Sequence, residues 1–242
     1  MNDSTIQTLI DLNNRFYGQF ASDFDDSRHA AWPGWLRLIP HLKSLDESKS
    51  PIRIVDLACG NARFWKFLTA ELFRKFKYLG VDSCRGLLDC ALTAENSELI
   101  HHDVLMEGYP ELACDFVGSF GFFHHIPSFE RRRDILQKMV SHTELGGIIA
   151  VAFWAFAERP RFDSKVLPWP EELQREEGDY ILTWNRGGLG TRYCHYVSEA
   201  EEAELIRGLP VEVVDRFSED GKTHDLNRYL VLRRTEEAKR IS

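Results

Sequence analysis

The 242-residue sequence lacks the features that would tie it to a membrane or to a disulfide framework. Its longest apolar run, Ile148–Ala157, is about half of the ~20 residues that a membrane span needs, and the first residues do not form a signal peptide. The five cysteines lie far apart and none has CxxC spacing, so neither disulfides nor a zinc site are expected. We therefore expect a cytoplasmic protein that holds no metal and contacts no membrane.

An excess of positive charge is also missing. Lysine and arginine number 30 against 38 aspartate and glutamate, which gives a formal net charge of −8. This balance excludes broad electrostatic capture of nucleic acid, so such a partner needs a local patch. Residues 180–197 contain no acid and carry Arg186 and Arg192 among several aromatic residues. That mixture suits a flipped or single-stranded base, although a lid with a few arginines fits it too.

Strand-like and helix-like segments alternate through the middle of the chain, which predicts a parallel sheet with helices on both faces. The predicted strands are 52–57, 77–81, 98–101, 114–120, 148–154, 211–217 and 226–232. The predicted helices are 4–20, 35–45, 62–75, 84–94, 129–141 and 198–207. The fold class is therefore α/β, with a seven-stranded, mostly parallel, doubly wound (Rossmann-like) sheet.

The chain divides into three parts of one domain. We predict an N-terminal helical cap at 1–50, a cofactor-binding core at 51–155, and a third part at 156–242. The third part combines a substrate lid or insertion with the closing strands, because residues 156–196 show no clear period and structureless connections of that length are uncommon.

Polar groups at the ends of three predicted strands suggest a nucleoside-containing cofactor. After Asp56 the chain places small residues where strand turns into helix, which lets backbone approach a ligand closely, although any tight turn of this kind needs small residues. Asp82 ends the second strand, where a carboxylate accepts from a ribose diol, and Asp103 ends the third, where it accepts from an adenine amino group. The sequence has no GxxxxGK(S/T) loop and no GxGxxG turn. A ligand with a diol and adenine but no phosphate fits best, and S-adenosylmethionine is such a ligand.

Residues 52–154 resemble the class I S-adenosylmethionine-dependent methyltransferases. The resemblance lies in the DxGxGxG turn from Asp56 to Ala62, in Asp82 and Asp103, in the segment 120–128 and in the glycine pair before the fifth strand. The cofactor-binding residues it implies are Asp56, Ala58, Gly60, Asn61, Asp82, Ser83, Asp103, Val104, Phe120 and His125. Here Ala58 and Ala62 replace two glycines. Because alanine adopts positive φ at a cost, we expect ordinary backbone angles at both and a weaker hold on the cofactor.

A narrower resemblance extends over most of the chain. Segments 20–28 and 31–33, FFHHIPSFERRRDIL, the Leu-Pro-Trp element at 167–169 and RYCHYV at 192–197 are similar to the tRNA wobble-uridine carboxymethyl methyltransferases. That family methylates the carboxylate of carboxymethyluridine in the anticodon loop of tRNA, with a small zinc-binding activator subunit in eukaryotes. The sequence departs from the family at 224–229, where the family has a shorter turn that contains tryptophan.

Methyl transfer to a carboxylate needs orientation more than a general base, because the nucleophile is already ionised at neutral pH. Arginine suits this task, since its planar fork binds a carboxylate bidentately. Our catalytic candidates are Arg28, Arg192 and His195. Arg192 is expected to orient the acceptor, and Arg28 to share that role or to hold the cofactor's own carboxylate. His195 either contacts the acceptor or is a satisfied structural histidine.

For three further groups of residues, the sequence leaves the role open or favours an ordinary structural one. His124 and His125 either lie near the acceptor or, as we favour, cap the next helix and line the cofactor pocket. Residues 131–133, three consecutive arginines, are expected to form a solvated face. Tyr17 and Phe20 form part of a flap over the cofactor or belong to a core stripe.

The leading hypothesis is a methyltransferase that acts on a tRNA wobble nucleoside. The alternatives are a small-molecule carboxyl, O- or N-methyltransferase on the same scaffold, and a protein that binds the cofactor without catalysis. The last is suggested by Ala58 and Ala62.

Overall fold

The computed structural model describes residues 1–26, 30–46 and 48–236. Ten strands occur in this part of the chain: β1 Ile52–Leu57, β2 Phe76–Asp82, β3 Ser97–His101, β4 Cys114–Phe120, β5 Thr143–Trp154, β6 Val166–Leu167, β7 Asp179–Trp184, β8 Gly190–His195, β9 Val211–Glu219 and β10 Asn227–Arg234. The α-helices there are α1 Asp3–Asp26, α2 Ile39–Lys43, α3 Arg63–Glu71, α4 Arg85–Asp89, α5 Phe129–His142 and α6 Glu199–Ile206. Short 3₁₀ helices span Pro33–Leu38, Phe123–His125, Phe156–Glu158 and Pro160–Lys165.

The central sheet has seven strands in the order β3-β2-β1-β4-β5-β10-β9. Strands β1 to β5 pair in parallel, whereas β10 is antiparallel to both β5 and β9. Strand order reverses beside β1, so the carboxyl ends of β1 and β4 border a crevice, where open α/β sheets bind their ligands. The predicted seven-stranded, mostly parallel α/β sheet is confirmed.

Apolar side chains cover both faces of this sheet. On one face Trp35, Phe64 and Phe67 pack from the segment before β1 and from α3. On the other face, Ile135 packs from α5 and Leu205 packs from α6. Burial of these faces supplies the main stabilisation of the fold, at about 25 cal/mol per Å² of apolar surface removed from water.

Residues 156–196 form more regular structure than their sequence indicates. Strands β6, β7 and β8 make a second, antiparallel sheet, with β7 in the middle. Helix α1 packs on this sheet through Leu9, which contacts Ile181 and Tyr193. The N-terminal helix and the lid segment are therefore one layer over the strand ends of the central sheet.

Four helices differ clearly from their predicted bounds. Helix α1 extends six residues beyond the predicted end at residue 20, and the predicted helix 35–45 is a 3₁₀ helix at Pro33–Leu38 followed by α2. The predicted helix 84–94 is observed only at Arg85–Asp89, because the chain turns at Ala94, whose carbonyl accepts from Ser97 N, to enter β3. The predicted helix 62–75 ends at Glu71, where Leu72 is extended. Strand β5 begins five residues earlier than predicted and includes Gly146, whose φ is 76°. Within the described ranges no helix combines the length and apolar character needed to cross a bilayer.

Candidate active site

A cavity of about 410 Å³ lies between the carboxyl ends of β1 to β4 and the layer formed by α1 and the second sheet. The central sheet contributes the turn after β1 and the residues after β2, β3 and β4. The covering layer contributes Tyr17 and Phe24 from α1, Trp184 and Arg192 from the second sheet. The predicted cofactor residues that line the cavity are Ala58, Gly60, Asn61, Asp82, Ser83, Asp103, Val104, Phe120 and His125.

The turn after β1 has a left-handed backbone at three alternate positions. Ala58, Gly60 and Ala62 have φ values of 61°, 55° and 55°. The prediction of ordinary backbone angles at the two alanines is wrong: the turn keeps the shape that glycine would give it. A left-handed residue with a Cβ costs roughly 1–2 kcal/mol, which the packing around the turn must offset. Ala62 is 1% exposed and packs in the core, which supplies part of that compensation.

Asp56 lies behind this turn and does not line the cavity. It is 3% exposed and accepts a hydrogen bond of 2.6 Å from the hydroxyl of Tyr78. Burial raises the pKa of the Asp56 carboxyl to about 7, although the Tyr78 bond opposes this shift. The predicted direct contact of Asp56 with a cofactor is therefore not supported, and its role is to hold β1 and β2 together beneath the turn.

Asp82 connects the end of β2 with the turn after β1. Its Oδ2 accepts from Gly60 N at 2.7 Å and its Oδ1 from Cys84 N at 2.8 Å. Burial raises the pKa of Asp82 above its ordinary value, and the two amide bonds oppose that shift. Each carboxylate oxygen keeps a second lone pair, so the side chain can still accept from a ligand diol.

Asp103 follows β3 and is covered by α1. Its Oδ2 accepts from Asn14 Nδ2 at 3.0 Å, and its Oδ1 accepts from Leu105 N at 2.9 Å. Asn14, which the sequence did not single out, thus fixes the carboxylate at the cavity wall. Val104 beside it is buried and adds an apolar surface.

His125 joins α1, the segment after β4 and β8. Its Nδ1 lies 3.1 Å from the carbonyl oxygen of Tyr193, and its Nε2 lies 2.7 Å from the hydroxyl of Tyr17. Nδ1 also lies 3.3 Å from Asn13 Nδ2, which only donates, but the shorter contact to the carbonyl favours the tautomer with the proton on Nδ1, in which Nε2 accepts from Tyr17. Asn13 completes the junction, since its Oδ1 accepts from Tyr193 N at 2.9 Å. Tyr17 therefore lines the cavity, whereas Phe20 is 2% exposed and belongs to the core.

Arg192 projects from β8 into a box of aromatic rings. Its Cζ lies 5.4 Å from the Phe16 ring centroid, 5.2 Å from that of Trp154 and 5.5 Å from that of Trp184. The side chain lines the cavity although the residue is only 6% exposed. Its Nη1 is 3.5 Å from the Tyr17 hydroxyl, and its Nε has no hydrogen-bond partner in the described part of the chain. A buried cation with this capacity to donate is suited to an anionic ligand.

His195 lies outside the cavity, and the structure shows the structural one of its two alternatives. Its Nδ1 is 2.7 Å from Asp179 and its Nε2 is 2.7 Å from Glu201. Since both nitrogens are engaged and the side chain is 1% exposed, no atom remains to contact an acceptor. Arg28 lies outside the described residues.

The three consecutive arginines do not form a solvated face, so that prediction is wrong. Arg132 is 1% exposed and forms ion pairs with Glu176 at 3.0 Å and Glu201 at 2.6 Å. Arg131 donates to the Leu105 carbonyl and Arg133 to the Glu204 carbonyl. Their partners are distant in sequence, which is why the local pattern did not reveal these contacts.

A group that could hold a metal lies next to the cavity. His124, His125 and Cys194 bring one ligand atom each to within 4.8 Å of one another. Both ring nitrogens of His125 already have partners, and burial raises the pKa of the Cys194 thiol to about 11. A metal ion would have to displace these bonds and take a thiolate that burial disfavours, so these contacts count against a metal at this place.

The donors and walls of the cavity fit S-adenosylmethionine. Two carboxylates, Asp82 and Asp103, stand at successive strand ends, where a ribose diol and an adenine amino group would bind. The left-handed turn at 58–62 brings main chain to the cavity without large side chains. Residues that sequence reasoning missed include Asn14, Trp154 and Arg63, whereas Trp184 belongs to the aromatic stretch 180–197 where a base was expected to stack. Trp154 carried no signal beyond its place at the end of a strand, and Arg63 follows a turn that is recognised by its small residues.

Comparison with known proteins agrees with this geometry. Residues 55–151 match the model of a methyltransferase domain. An Encephalitozoon cuniculi protein named as a methyltransferase is 26% identical over 207 residues, which are 86% of this chain and 90% of that protein. The tRNA (carboxymethyluridine(34)-5-O)-methyltransferase of Mus musculus is 26% identical over 145 residues. That match takes in 60% of this chain but only 20% of the mouse protein.

Solved structures share the fold. The Haloferax volcanii protein in complex with the methyltransferase activator Trm112 has a TM-score of 0.60 at 13% identity, covering 93% of this chain and 99% of that one. The expected fold is thereby confirmed, and the matched methyltransferase domain agrees with the expected cofactor, S-adenosylmethionine. Strand order, the cavity at the strand ends and the matched domain together show that residues 55–151 form a methyltransferase domain with the class I fold.

Proposed function

We propose that the chain methylates the carboxylate of a carboxymethyl group on a pyrimidine, and that the acceptor is the wobble uridine of a tRNA. The observation that carries this proposal is Arg192, a buried arginine that lines the cavity inside a box of aromatic rings. A guanidinium in this position binds a carboxylate bidentately, and the rings beside it offer faces on which a base stacks.

Bound S-adenosylmethionine would supply an activated methyl group on its sulfonium. The acceptor carboxylate is ionised at neutral pH, so no residue has to remove a proton from it. Arg192 would bind the carboxylate and leave a lone pair of one oxygen directed at the methyl group. Binding would thereby align the nucleophile for the transfer. Tyr17 would steady Arg192, because its hydroxyl donates to His125 and so turns a lone pair toward the guanidinium.

For the cofactor we propose the roles that the strand ends suggest. Asp82 would accept from the ribose hydroxyls and Asp103 from the adenine amino group, with Ser83 and Val104 beside them. The turn at Ala58, Gly60 and Asn61 would lie along the ribose and sulfonium, and Phe120 and His125 would form the opposite wall.

The RNA part of the proposal rests on relatives and on local charge. Relatives named as tRNA (carboxymethyluridine(34)-5-O)-methyltransferases come from Mus musculus, Arabidopsis thaliana and Saccharomyces cerevisiae. Lys165 lines the cavity, and Arg161 and Arg186 are exposed next to cavity residues Phe162 and Trp184. These three cations would contact phosphates of the anticodon loop, and such a substrate would place the protein in the cytoplasm.

We also propose an activator subunit as partner. The Haloferax volcanii protein of similar fold was solved with such an activator. In this chain β3 is the outermost strand of the central sheet, and Leu92, a few residues before it, is 83% exposed. Co-purification of the chain with a co-expressed small zinc-binding activator would support this partner, and purification of the chain without the activator would contradict it.

The direct test is mass spectrometry of tRNA nucleosides from a strain that lacks this protein. We expect the methyl ester of carboxymethyluridine to disappear and the free acid to accumulate. An unchanged nucleoside profile would contradict the tRNA substrate and would favour a small carboxylic acid, for which the enclosed cavity is large enough. The non-catalytic alternative loses its main support, because Ala58 and Ala62 keep the left-handed turn.

A further inference from the structure

A second arginine lines the cavity at the amino end of α3. Arg63 donates from Nη1 to the carbonyl of Ala30 at 3.1 Å, and its Cζ lies 5.7 Å and 5.8 Å from the ring centroids of Trp32 and Trp35. Within the described residues it makes no ion pair shorter than 4 Å. Burial lowers the pKa of its guanidinium, although nearby carboxylates oppose this. The cation is therefore partly desolvated and has donors left for an anion.

Asp220 faces the same part of the cavity from the loop between β9 and β10. It is 3% exposed and has a left-handed backbone, with φ of 73°. Its Oδ1 accepts from Gly34 N at 2.9 Å, and its Oδ2 accepts from Asn227 Nδ2 at 2.8 Å and from the Tyr229 hydroxyl at 2.6 Å. Three donors hold the charge in place, and a fourth lone pair remains available. A strained residue fixed this firmly at a cavity wall is typical of a binding position.

The order of groups along the cavity indicates what this pair would meet. In the cofactor roles proposed above, on which this inference rests, Asp103 and Asp82 mark the adenine and ribose ends, and the turn at 58–62 follows. Arg63 comes directly after that turn, where the amino-acid end of the cofactor must lie. Arg192, the other arginine that lines the cavity, stands among rings from α1, β5 and β7 on the acceptor side.

We propose that Arg63 and Asp220 recognise the amino-acid end of S-adenosylmethionine, Arg63 binding its α-carboxylate and Asp220 its α-ammonium group. The two side chains carry the opposite charges that a zwitterion requires, and both line the cavity, Asp220 from a buried position and Arg63 from a partly buried one. Asp220 belongs to the β9–β10 connection, the region where this sequence departs from the carboxymethyluridine family. The proposal concerns the cofactor alone and does not depend on the identity of the acceptor.

Isothermal calorimetry with three ligands tests the assignment. S-Adenosylhomocysteine carries both charged groups, decarboxylated S-adenosylmethionine keeps the ammonium group, and methylthioadenosine has neither. Arg63→Met should weaken the binding of S-adenosylhomocysteine by roughly 10- to 100-fold and leave the affinities for the other two ligands within about twofold of the wild type. Asp220→Asn should weaken the two ligands that carry an ammonium group and spare methylthioadenosine. Arg85→Met, at an exposed arginine paired with Asp89, is the matched control and should change none of them.

Unchanged methylthioadenosine affinity also shows that each variant is folded. Tyr229→Phe removes one bond to Asp220 but not its charge, so it should bind S-adenosylhomocysteine within about fivefold of the wild type. If Arg63→Met weakens all three ligands equally, its role is structural and the proposal fails. The proposal also fails if Arg28→Met, rather than Arg63→Met, produces the loss that is specific to the carboxylate.

Discussion

At the scale of single residues, the turn after β1 shows that an alanine can occupy a position that usually requires glycine. Ala58 and Ala62 both have positive φ, and the turn still brings Gly60 N to Asp82. The position of the turn could be predicted from the sequence, because an acidic residue, several small residues and the start of a helix follow one another in a fixed order. The sequence did not predict the backbone angles, because tertiary packing outweighs the preference of each residue.

We predict that Ala58→Gly stabilises the protein by about 1 kcal/mol, because glycine adopts positive φ without a penalty. Ala62→Gly should have a smaller effect, since it also removes a buried methyl group worth up to ~0.8 kcal/mol. Ala70→Gly, in the helical backbone of α3, is the control and should destabilise by roughly 0.5–1 kcal/mol. Urea unfolding of the three variants measures these differences. Equal destabilisation by all three would contradict strain at Ala58.

Arg132 and Arg192 show that a local sequence pattern does not predict contacts with residues distant in the chain. Arg132 resembles its exposed neighbours in sequence, yet it is among the most deeply buried side chains of the described residues. Its partners, Glu176 and Glu201, lie 44 and 69 positions away. The role of Arg192 was predicted from a motif, and Trp184 lies in the same aromatic stretch, but Phe16 and Trp154 come from α1 and β5 and could not be foreseen.

At the scale of elements, one buried charge network joins α5, α6 and the second sheet. Glu201 contacts both Arg132 and His195, and Asp179 holds His195 from the other side while accepting from the Tyr193 hydroxyl. Ser198 still caps α6 by accepting from Glu201 N. The side chain of Glu201 does not return to the Ser198 N–H in a reciprocal cap but joins the network through Arg132 and His195. These contacts fix β8, and β8 carries Arg192.

We predict that Glu201→Gln destabilises the protein by about 3 kcal/mol, because it leaves two buried cations with too little negative charge. Glu204→Gln changes a half-exposed side chain of the same helix, paired with Arg207, and should stay within about 0.5 kcal/mol of the wild type. Denaturant unfolding compares the two variants. Similar small effects would contradict the importance of the network.

The network also predicts a dependence on pH. Burial alone would lower the pKa of His195, but its bonds to Asp179 and Glu201 outweigh burial and raise it above 6.5. A raised histidine pKa stabilises the fold fully below about pH 6.5 and loses this contribution as pH rises through the folded value. The difference in unfolding free energy between wild type and His195→Gln should therefore shrink with rising pH. A constant difference across roughly pH 5 to 9 would exclude a charged His195.

Prediction of elements succeeded where the pattern was local. The strands of the central sheet are short β-rich runs, and each was found within a few residues of its bounds. The second sheet was missed, because β6, β7 and β8 alternate weakly and are defined by their pairing and by contact with α1. Because α1 lies near the start of the chain and far from β8 in sequence, only the folded structure brings the two elements together.

At the scale of the whole molecule, a net charge of −8 coexists with cations at one cavity. If Lys165, Arg161 and Arg186 contact phosphates, binding of a single-stranded anticodon loop should lose affinity with a slope of about −2 in a plot of log K against log salt. Fluorescence anisotropy at several salt concentrations measures this slope, and Arg186→Gln should reduce it. A slope near zero, with methyl transfer intact, would indicate a small-molecule acceptor.

The most direct test of the account is the single-turnover rate of ester formation by Arg192→Met on tRNA that contains carboxymethyluridine. Calorimetry with S-adenosylhomocysteine on the same variant is the control, since Arg192 lies on the acceptor side. We predict a rate lower by roughly 100-fold or more, with cofactor affinity changed by less than about twofold. A wild-type rate, or a loss of rate explained entirely by lost cofactor binding, would contradict the role of Arg192 as the carboxylate-binding residue.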